Sequence, residues 1–174
     1  MGVRIIYAAQ IIAAGPPVKR LPRAMQSQAA RDLLARIAAR AVAVSSRSHS
    51  RTAIAVAATE TPGVSIGIDI EWMAPERPVA AIAGSYLGAA ASGLSIPEFY
   101  RAWTFYEAFF KAFQHAPSPA LILEALSSSG EHTVCRLRDG ISAIQHRVAD
   151  GFQLSLVWSG GDCIPDYLGE LVCD

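Results

Sequence analysis

The sequence predicts a single α+β domain over residues 1–174, and three observations support that prediction. Residues 64–71 alternate isoleucine or valine with small or acidic residues, which is the period of a strand. Residues 95–113 begin with a capping-box sequence and continue as an aromatic-rich helix. Residues 132–138, 141–148 and 152–158 are β-rich, with Asp-Gly turn signals between them, and predict antiparallel strands.

The first part of the chain predicts one strand and one helix. The apolar run at residues 3–12 is consistent with a strand or a short signal peptide, and we favour the strand because its charged start is a single arginine. Residues 17–23 predict a basic, proline-rich loop. Apolar residues at helical spacing then predict a helix over residues 26–43. Its arginines fit a partner surface and a solvated face equally well.

Charge is divided unevenly along the chain. Residues 1–60 contain nine basic and two acidic side chains, whereas residues 61–174 contain six basic and thirteen acidic ones. A basic first half favours a polyanionic ligand or an acidic protein partner. The alternative is that the arginines simply lie on exposed helix faces.

Two acidic residues share one face of the strand predicted at residues 64–71. Asp69 and Glu71 are two positions apart, and alternate strand residues point the same way. Gly67 precedes them on that face, so we expect it to leave room for a ligand. The alternative interpretation is an ordinary solvated strand face.

The helix predicted at residues 95–113 places Trp103, Glu107 and Lys111 on one stripe, because they are four residues apart. Residues 99–113 are apolar on nearly every side, which predicts a buried helix. A Glu107–Lys111 ion pair would account for the glutamate alone. Three nearby carboxylates would repel one another, however, and a cation would make the cluster favourable. With only oxygen ligands, magnesium is the natural candidate.

A serine-rich segment at residues 45–51 precedes another predicted strand and also contains Arg47, His49 and Arg51. Serine-rich turns are common and a lone histidine carries little information. Together with the other motifs, this segment predicts an anion-binding loop.

Three elements together resemble a known family. They are Ser-His-Ser at residues 48–50, Gly-Ile-Asp-Ile-Glu at residues 67–71, and Phe-Tyr-Arg-Ala-Trp-Thr-x-x-Glu-Ala-x-x-Lys-Ala at residues 99–112. In this order they resemble the signature of the 4′-phosphopantetheinyl transferases, particularly the surfactin-synthetase-activating (Sfp-like) type, with a shortened N-terminal half. The resemblance is clear from about residue 45 to residue 112 and fainter to residue 158.

The resemblance implies a fold of two similar halves, each with a helix packed on an antiparallel sheet. The approximate halves are residues 1–62 and 63–160, with residues 161–174 as a peripheral tail. It also implies a holo-acyl-carrier-protein synthase type of activity. Such an enzyme transfers the phosphopantetheine arm of coenzyme A to a serine of an apo acyl or peptidyl carrier protein, with magnesium, and releases adenosine 3′,5′-bisphosphate.

Residue roles follow from the matching positions. The implied magnesium ligands are Asp69, Glu71 and Glu107, and Glu107 would also help to deprotonate the incoming serine. Lys111 would neutralise phosphate charge beside Glu107 in the catalytic centre. The residues expected to contact coenzyme A are Arg47, Ser48, His49 and Lys111.

The chain departs from the family pattern at several positions. Tyr106 stands where the family usually has a lysine, the glycine-lysine-proline segment before the Ser-His-Ser element is absent, and Phe113-Gln114 replaces a glycine. A phenol cannot supply a positive charge. The alternative function is therefore a non-catalytic or weakly active homologue that binds coenzyme A or a carrier protein.

The remaining features complete the expected setting. The three cysteines, Cys135, Cys163 and Cys173, are odd in number and lack a Cys-x-x-Cys spacing, which favours reduced thiols. His115, His132 and His146 have no ligand-like spacing, so we expect them to be structural or exposed. We expect a cytoplasmic monomer acting in fatty acid, polyketide or peptide assembly, with no nucleic-acid or membrane partner.

Overall fold

Residues 3–12, 21–38, 42–127, 132–149, 151–160 and 163–172 are described by a computed structural model. This part of the chain has an α+β architecture with two four-stranded sheets and four α-helices. The predicted fold class is therefore confirmed at this level.

The first sheet contains β1 (Ile5–Ile11), β2 (Val44–Ser50), β3 (Ala53–Thr59) and β8 (Asp166–Val172), in the order β2-β3-β1-β8. The first strand is confirmed. β3 is antiparallel to both of its neighbours, whereas β8 runs parallel to β1. The expectation of a wholly antiparallel sheet is wrong here, because the chain returns from the second half to add a parallel edge strand. Residues 161–174 were expected to form a peripheral tail, and this expectation is wrong for Asp166–Val172, which pair with β1 as β8.

Two local predictions in the first half are corrected. Residues 45–51 are not a loop: β2 pairs along its whole length with β3, and the turn between them uses Arg51 at a φ of 55°. The predicted helix is α1 (Arg23–Ile37), which begins and ends earlier than residues 26–43. Most of the loop predicted at residues 17–23 lies outside the described residues.

The second sheet contains β4 (Ile66–Trp72), β5 (Cys135–Arg136), β6 (Ile141–Val148) and β7 (Phe152–Ser159), in the order β4-β7-β6-β5. All of its pairings are antiparallel, as predicted. The strand predicted at residues 132–138 is reduced to the two residues of β5.

Three helices lie in the second half: α2 (Val79–Leu87), α3 (Ile96–Phe113) and α4 (Pro119–Ser127). The predicted capping box is confirmed, since Ser95 and Glu98 bond reciprocally at the start of α3. α3 is buried on most sides, although Phe110 is 44% exposed. α2 and α4 were not predicted.

The main core lies between the two sheets. It combines the inward residues of β1 and β3 with those of β4, β6 and β7. α1 covers the opposite face of the first sheet, and α3 with α4 covers the opposite face of the second. Each half begins with a strand, continues into helix and ends in a hairpin whose last strand is antiparallel to the first, although the second half has three α-helices and also contains β5. This repeated order brings β2 and β4, an edge strand from each sheet, close to each other.

Four rings contact one another between the two sheets, from buried Tyr7 and His146 out to exposed His132, and we call them the ring cluster: Tyr7, His132, His146 and Tyr167. Tyr167 of β8 stacks on Tyr7 with centroids 4.8 Å apart, and His132 stacks on His146 at 4.0 Å. His146 is 1% exposed, whereas His115 and His132 are exposed.

The cysteine prediction is tested for two of the three residues. Cys135 and Cys163 form no disulfide. Cys173 lies outside the described residues.

Candidate active site

Three alternating serines of β2 connect the two sheets, and we call Ser46, Ser48 and Ser50 the serine seam. Ser46 Oγ accepts a hydrogen bond from the amide of Ile68 at 3.0 Å, and Ser50 Oγ accepts one from the amide of Trp72 at 3.0 Å. An edge strand has backbone groups without a ladder partner, and hydroxyls satisfy them here. The seam therefore holds β4 against β2 through side chains.

The seam also binds the first predicted metal ligand. Asp69 is 4% exposed, and its Oδ1 accepts hydrogen bonds from Ser48 Oγ at 2.7 Å and from Lys111 Nζ at 2.7 Å. Its Oδ2 is buried and makes no hydrogen bond within the described part of the chain. One oxygen of this carboxylate is thus occupied, and the other lacks a partner.

Glu71 shows the same arrangement. Its Oε2 accepts a hydrogen bond from Ser50 Oγ at 3.0 Å and forms an ion pair with Arg77 at 3.4 Å. Its Oε1 has no hydrogen bond to any described residue. The serine seam therefore binds one oxygen on each of two neighbouring carboxylates.

Lys111 does not form the ion pair with Glu107 that the sequence left open. Its ammonium lies against Asp69 and donates to the carbonyl oxygen of Ile68 at 3.0 Å. Glu107 is half-buried and makes no hydrogen bond or ion pair with the described residues. The charge of Asp69 nevertheless raises the pKa of this carboxylate, and the charge of Lys111 lowers it.

One cleft collects most of the predicted site residues. It has a volume of about 360 Å³, opens between α1, β2, β4 and α3, and is lined by nine residues. These are Arg23, Ser27, Ala30, Arg47, Ser48, His49, Asp69, Glu71 and Lys111. Of the predicted site residues, Glu107 alone is not part of this lining.

Burial controls the ionisation of the acidic residues. It raises the pKa of Asp69, and the Lys111 charge with its hydrogen bond opposes that effect. Burial and then the Asp69 charge raise the pKa of Glu71, against the effect of Arg77. Burial and the Asp69 charge likewise raise the pKa of Glu107, against the effect of Lys111. Ionised Asp69 therefore disfavours the ionisation of both Glu71 and Glu107.

The carboxylates fit magnesium by donor chemistry. Asp69 Oδ2 is an unpartnered buried oxygen, Glu71 Oε1 is unbonded, and all the donors are oxygens. Within the described residues, no three His, Cys, Asp or Glu side chains are already gathered closely enough to hold a metal ion. Glu107 would have to join Asp69 and Glu71 from α3.

Gly67 has a different role from the expected one. A Cβ at this position would collide with the carbonyl oxygen of Ala108 and lie 2.8 Å from the amide of Ala112. Gly67 therefore makes room for close packing of α3 on β4 rather than for a ligand. That packing brings Lys111 to Asp69.

Tyr106 lies in an aromatic group on the outer side of α3. Its ring is parallel to that of Trp103, with centroids 6.0 Å apart, and tilted against that of Tyr86 at 5.2 Å. These contacts account for an aromatic residue at this position by packing.

Sequence reasoning did not assign several residues to the site. Ser50 and Arg77 contact Glu71, and Arg23 and Ser27 line the cleft from α1. The alternation of Ser46, Ser48 and Ser50 was a readable signal of a strand with one serine edge. The other contacts depend on long-range packing and left no local pattern.

No model of a known protein family matches the chain, and a comparison with curated proteins gives no significant relative. In the described ranges no single helix is long and apolar enough to cross a membrane. The helical segments Val79–Ala91 and Ile96–Phe113 reach that length and composition only as a pair bent by 97°.

Proposed function

We propose that this protein transfers the 4′-phosphopantetheine arm of coenzyme A to a serine of an apo acyl or peptidyl carrier protein, releasing adenosine 3′,5′-bisphosphate. One observation carries the proposal. Ser48 with His49, Asp69 with Glu71, and Lys111 come from three separate sequence elements, and all line one cleft. The repeated strand–helix–hairpin order supports the two-half fold that the resemblance implies.

The charges around the cleft suit a polyphosphate ligand. Arg23 and Arg47 line it from the first half, and Lys111 lines it from the second. Arginine binds phosphate through paired N–H donors, and lysine supplies a compact charge. We assign Arg47, Ser48 and His49 to coenzyme A binding and Lys111 to its phosphates.

Asp69, Glu71 and Glu107 would hold magnesium beside the pyrophosphate. When bound, the metal neutralises phosphate charge and supplies Lewis-acid stabilisation in phosphoryl transfer. Lys111 already places one cation at Asp69, so the site is organised for positive charge next to phosphate.

Glu107 is assigned the role of proton acceptor for the incoming serine hydroxyl. Its carboxylate is half-buried and has no hydrogen bond to the described residues, while burial and the Asp69 charge raise its pKa above the ordinary value. A general base works best when its pKa approaches the working pH. The proposed setting is the cytoplasm, with the protein acting as a monomer in fatty acid, polyketide or peptide assembly.

The transferase is tested with coenzyme A, Mg²⁺ and a panel of apo acyl and peptidyl carrier proteins. The expected product is a carrier protein heavier by one phosphopantetheine, measured by intact-protein mass spectrometry. Omitting Mg²⁺ or using a carrier protein whose acceptor serine is alanine serves as the control. No mass gain on any carrier protein would contradict the proposal.

A second candidate is a coenzyme A-binding protein without efficient transfer. Tyr106 favours it, because its ring packs against Trp103 and Tyr86 at a position where the resemblance expects a cation. Calorimetry that detects Mg²⁺-dependent coenzyme A binding, together with no mass gain on carrier proteins, would select this candidate.

A further inference from the structure

Ser50 lies at the end of β2, where it contacts both the backbone and a carboxylate of β4. Its Oγ accepts the amide hydrogen of Trp72 at 3.0 Å and donates to Glu71 Oε2 at 3.0 Å. A hydroxyl has one donor and can accept at the same time, so this pair of bonds fixes the direction of its hydrogen. The backbone of β4 therefore orients the hydroxyl toward Glu71.

Glu71 needs such a contact because its neighbour repels it. The Asp69 charge is one of the two causes that raise the pKa of Glu71. Arg77 pairs with the same Oε2 at 3.4 Å, so Ser50 and Arg77 together fix this oxygen of Glu71. Ser50 donates to Oε2, and Oε1 makes no hydrogen bond to a described residue.

A similar serine–carboxylate contact occurs two residues earlier on both strands. Ser48 donates to Asp69 Oδ1, while Asp69 Oδ2 remains buried without a hydrogen bond to the described residues. Two serines at the strand period therefore orient two carboxylates at the same period. Each carboxylate keeps one oxygen for a cation.

We propose that Ser50 is a positioning residue that orients Glu71 for divalent-cation binding in the cleft. This inference rests on the metal site of the proposed function. Hydrogen-bond partners that orient metal ligands typically change metal affinity by about 10- to 100-fold when removed. Ser50 would act in this way without touching the metal itself.

The chain provides a matched control in Ser46. Ser46 Oγ also accepts an amide hydrogen of β4, from Ile68 at 3.0 Å, and no carboxylate bond to it is present among the described contacts. Ser46→Ala and Ser50→Ala thus each remove one seam bond to a β4 amide. Only Ser50→Ala also removes a carboxylate contact.

The test is Mn²⁺ binding by the full chain, measured from the EPR signal of free Mn²⁺, with and without coenzyme A. We expect Ser50→Ala to bind Mn²⁺ about 10- to 100-fold more weakly than the unmodified protein. Ser46→Ala should retain the original Mn²⁺ affinity. Its melting temperature should fall by about as much as that of Ser50→Ala, because each variant loses one bond to a β4 amide. Ser50→Thr, which keeps a hydroxyl on a strand residue, should restore binding.

Several outcomes would overturn the role of Ser50. They are unchanged Mn²⁺ affinity in Ser50→Ala, an equal loss in Ser46→Ala, no restoration by Ser50→Thr, or no Mn²⁺ binding by the unmodified protein in either condition. Should Ser50→Ala fail to fold, the Ser50→Thr and Ser50→Cys proteins provide the comparison, because a thiol donates a hydrogen bond only weakly. Cysteine should then weaken Mn²⁺ binding and threonine should not, and equal affinities would overturn the role.

The transfer assay separates this inference from the proposed function. A protein with Ser50-dependent Mn²⁺ binding and no mass gain on carrier proteins would lose the transferase proposal and keep the positioning role. A protein that transfers phosphopantetheine and binds Mn²⁺ equally well in Ser50→Ala would keep the transferase and lose the positioning role.

Discussion

The serine seam and the ring cluster both join the two sheets, but with opposite chemistry. The seam uses hydroxyls to bond backbone amides and the carboxylates of Asp69 and Glu71. The ring cluster packs two tyrosines and two histidines face to face and edge to face. Ser48 of the seam lines the cleft, whereas His146 in the ring cluster is 1% exposed.

Burial disfavours the charged form of ionisable groups in both regions, but the consequences differ. In the seam it raises the pKa of Asp69 and Glu71, while Lys111 and Arg77 partly compensate. In the ring cluster it lowers the pKa of His146 to about 4. Asp69 and Glu71 beside the seam thus carry charges that destabilise the fold but can bind a cation. In the ring cluster His146 stays neutral, and its buried ring stabilises the fold. We therefore expect changes at the carboxylates of Asp69 and Glu71 to affect activity and changes in the ring cluster to affect stability.

The largest expected effect comes from Asp69→Asn, at the carboxylate that Ser48 of the seam binds. We expect phosphopantetheine transfer to fall about 10³-fold, because a metal ligand contributes several kcal/mol to transition-state stabilisation. The melting temperature should stay the same or rise, because burial disfavours the charged form of Asp69 in the folded protein. Mass spectrometry and calorimetry measure the two effects. Asp166→Asn on exposed β8 is the matched control, and undiminished transfer by Asp69→Asn would place the active site elsewhere.

His146→Ala tests the ring cluster, the second of the two regions. Removing a fully buried ring should reduce the free energy of unfolding by about 3 kcal/mol, as for other large-to-small core changes. Transfer per folded molecule should remain unchanged, since His146 does not line the cleft. Urea denaturation measures the loss, with exposed His115→Ala as a control expected to change stability by less than about 0.5 kcal/mol. A selective loss of activity in His146→Ala would end the separation between the two regions.

The pH dependence of stability should also differ between the two regions. His146 has a lowered pKa in the folded state, so it stabilises the protein above its unfolded pKa of 6.5 and loses that contribution as pH falls toward 4. The loss amounts to about 3 kcal/mol over this range. The seam carboxylates have raised pKa values, so protonating them on acidification favours the fold and opposes the loss.

Comparing the unmodified protein with His146→Gln isolates the histidine contribution to pH dependence. The difference in the free energy of unfolding between the two proteins should change by about 3 kcal/mol between pH 7 and pH 4, measured by urea denaturation. A difference that stays constant with pH would show that His146 is not the responsible group.

The smallest expected effect comes from Tyr106→Lys, next to the site. Loss of the ring contacts with Trp103 and Tyr86 should cost about 1 kcal/mol of stability. The resemblance expects a cation at this position, so the lysine should raise the transfer rate. Tyr106→Phe keeps the ring, so we expect little change in either the stability or the transfer rate. A lower rate in Tyr106→Lys would mean that the tyrosine itself supports transfer.

Local sequence patterns predicted the elements with strong periodicity or clear end signals. β4 followed from alternation at residues 64–71, and α3 followed from the Ser95 capping box. The short helices α2 and α4 were not predicted, since each has nine residues and little polar contrast to mark a face. Residues 45–51 were predicted to be a loop because serine-rich segments are common in turns, whereas Val44–Ser50 pair with β3 as the strand β2.

The sequence selected six of the nine residues that line the cleft, but not the contacts that they make. The motifs selected Asp69, Glu71, Glu107 and Lys111, and the strand period placed the first two on one face. The ion pair of Lys111 with Asp69, rather than with Glu107, required α3 to pack on β4 at Gly67.

The sequence by itself determined the class of fold, the main strand and helix of the second half, and the candidate acidic and basic groups. Those features depend on interactions between residues a few positions apart. Tertiary structure alone decided that β8 joins the first sheet, that Ser48 and Ser50 bond the carboxylates of β4, and that Asp69 is deeply buried. These features depend on the approach of chain segments distant in sequence, whose partners are selected by burial and packing rather than by local pattern.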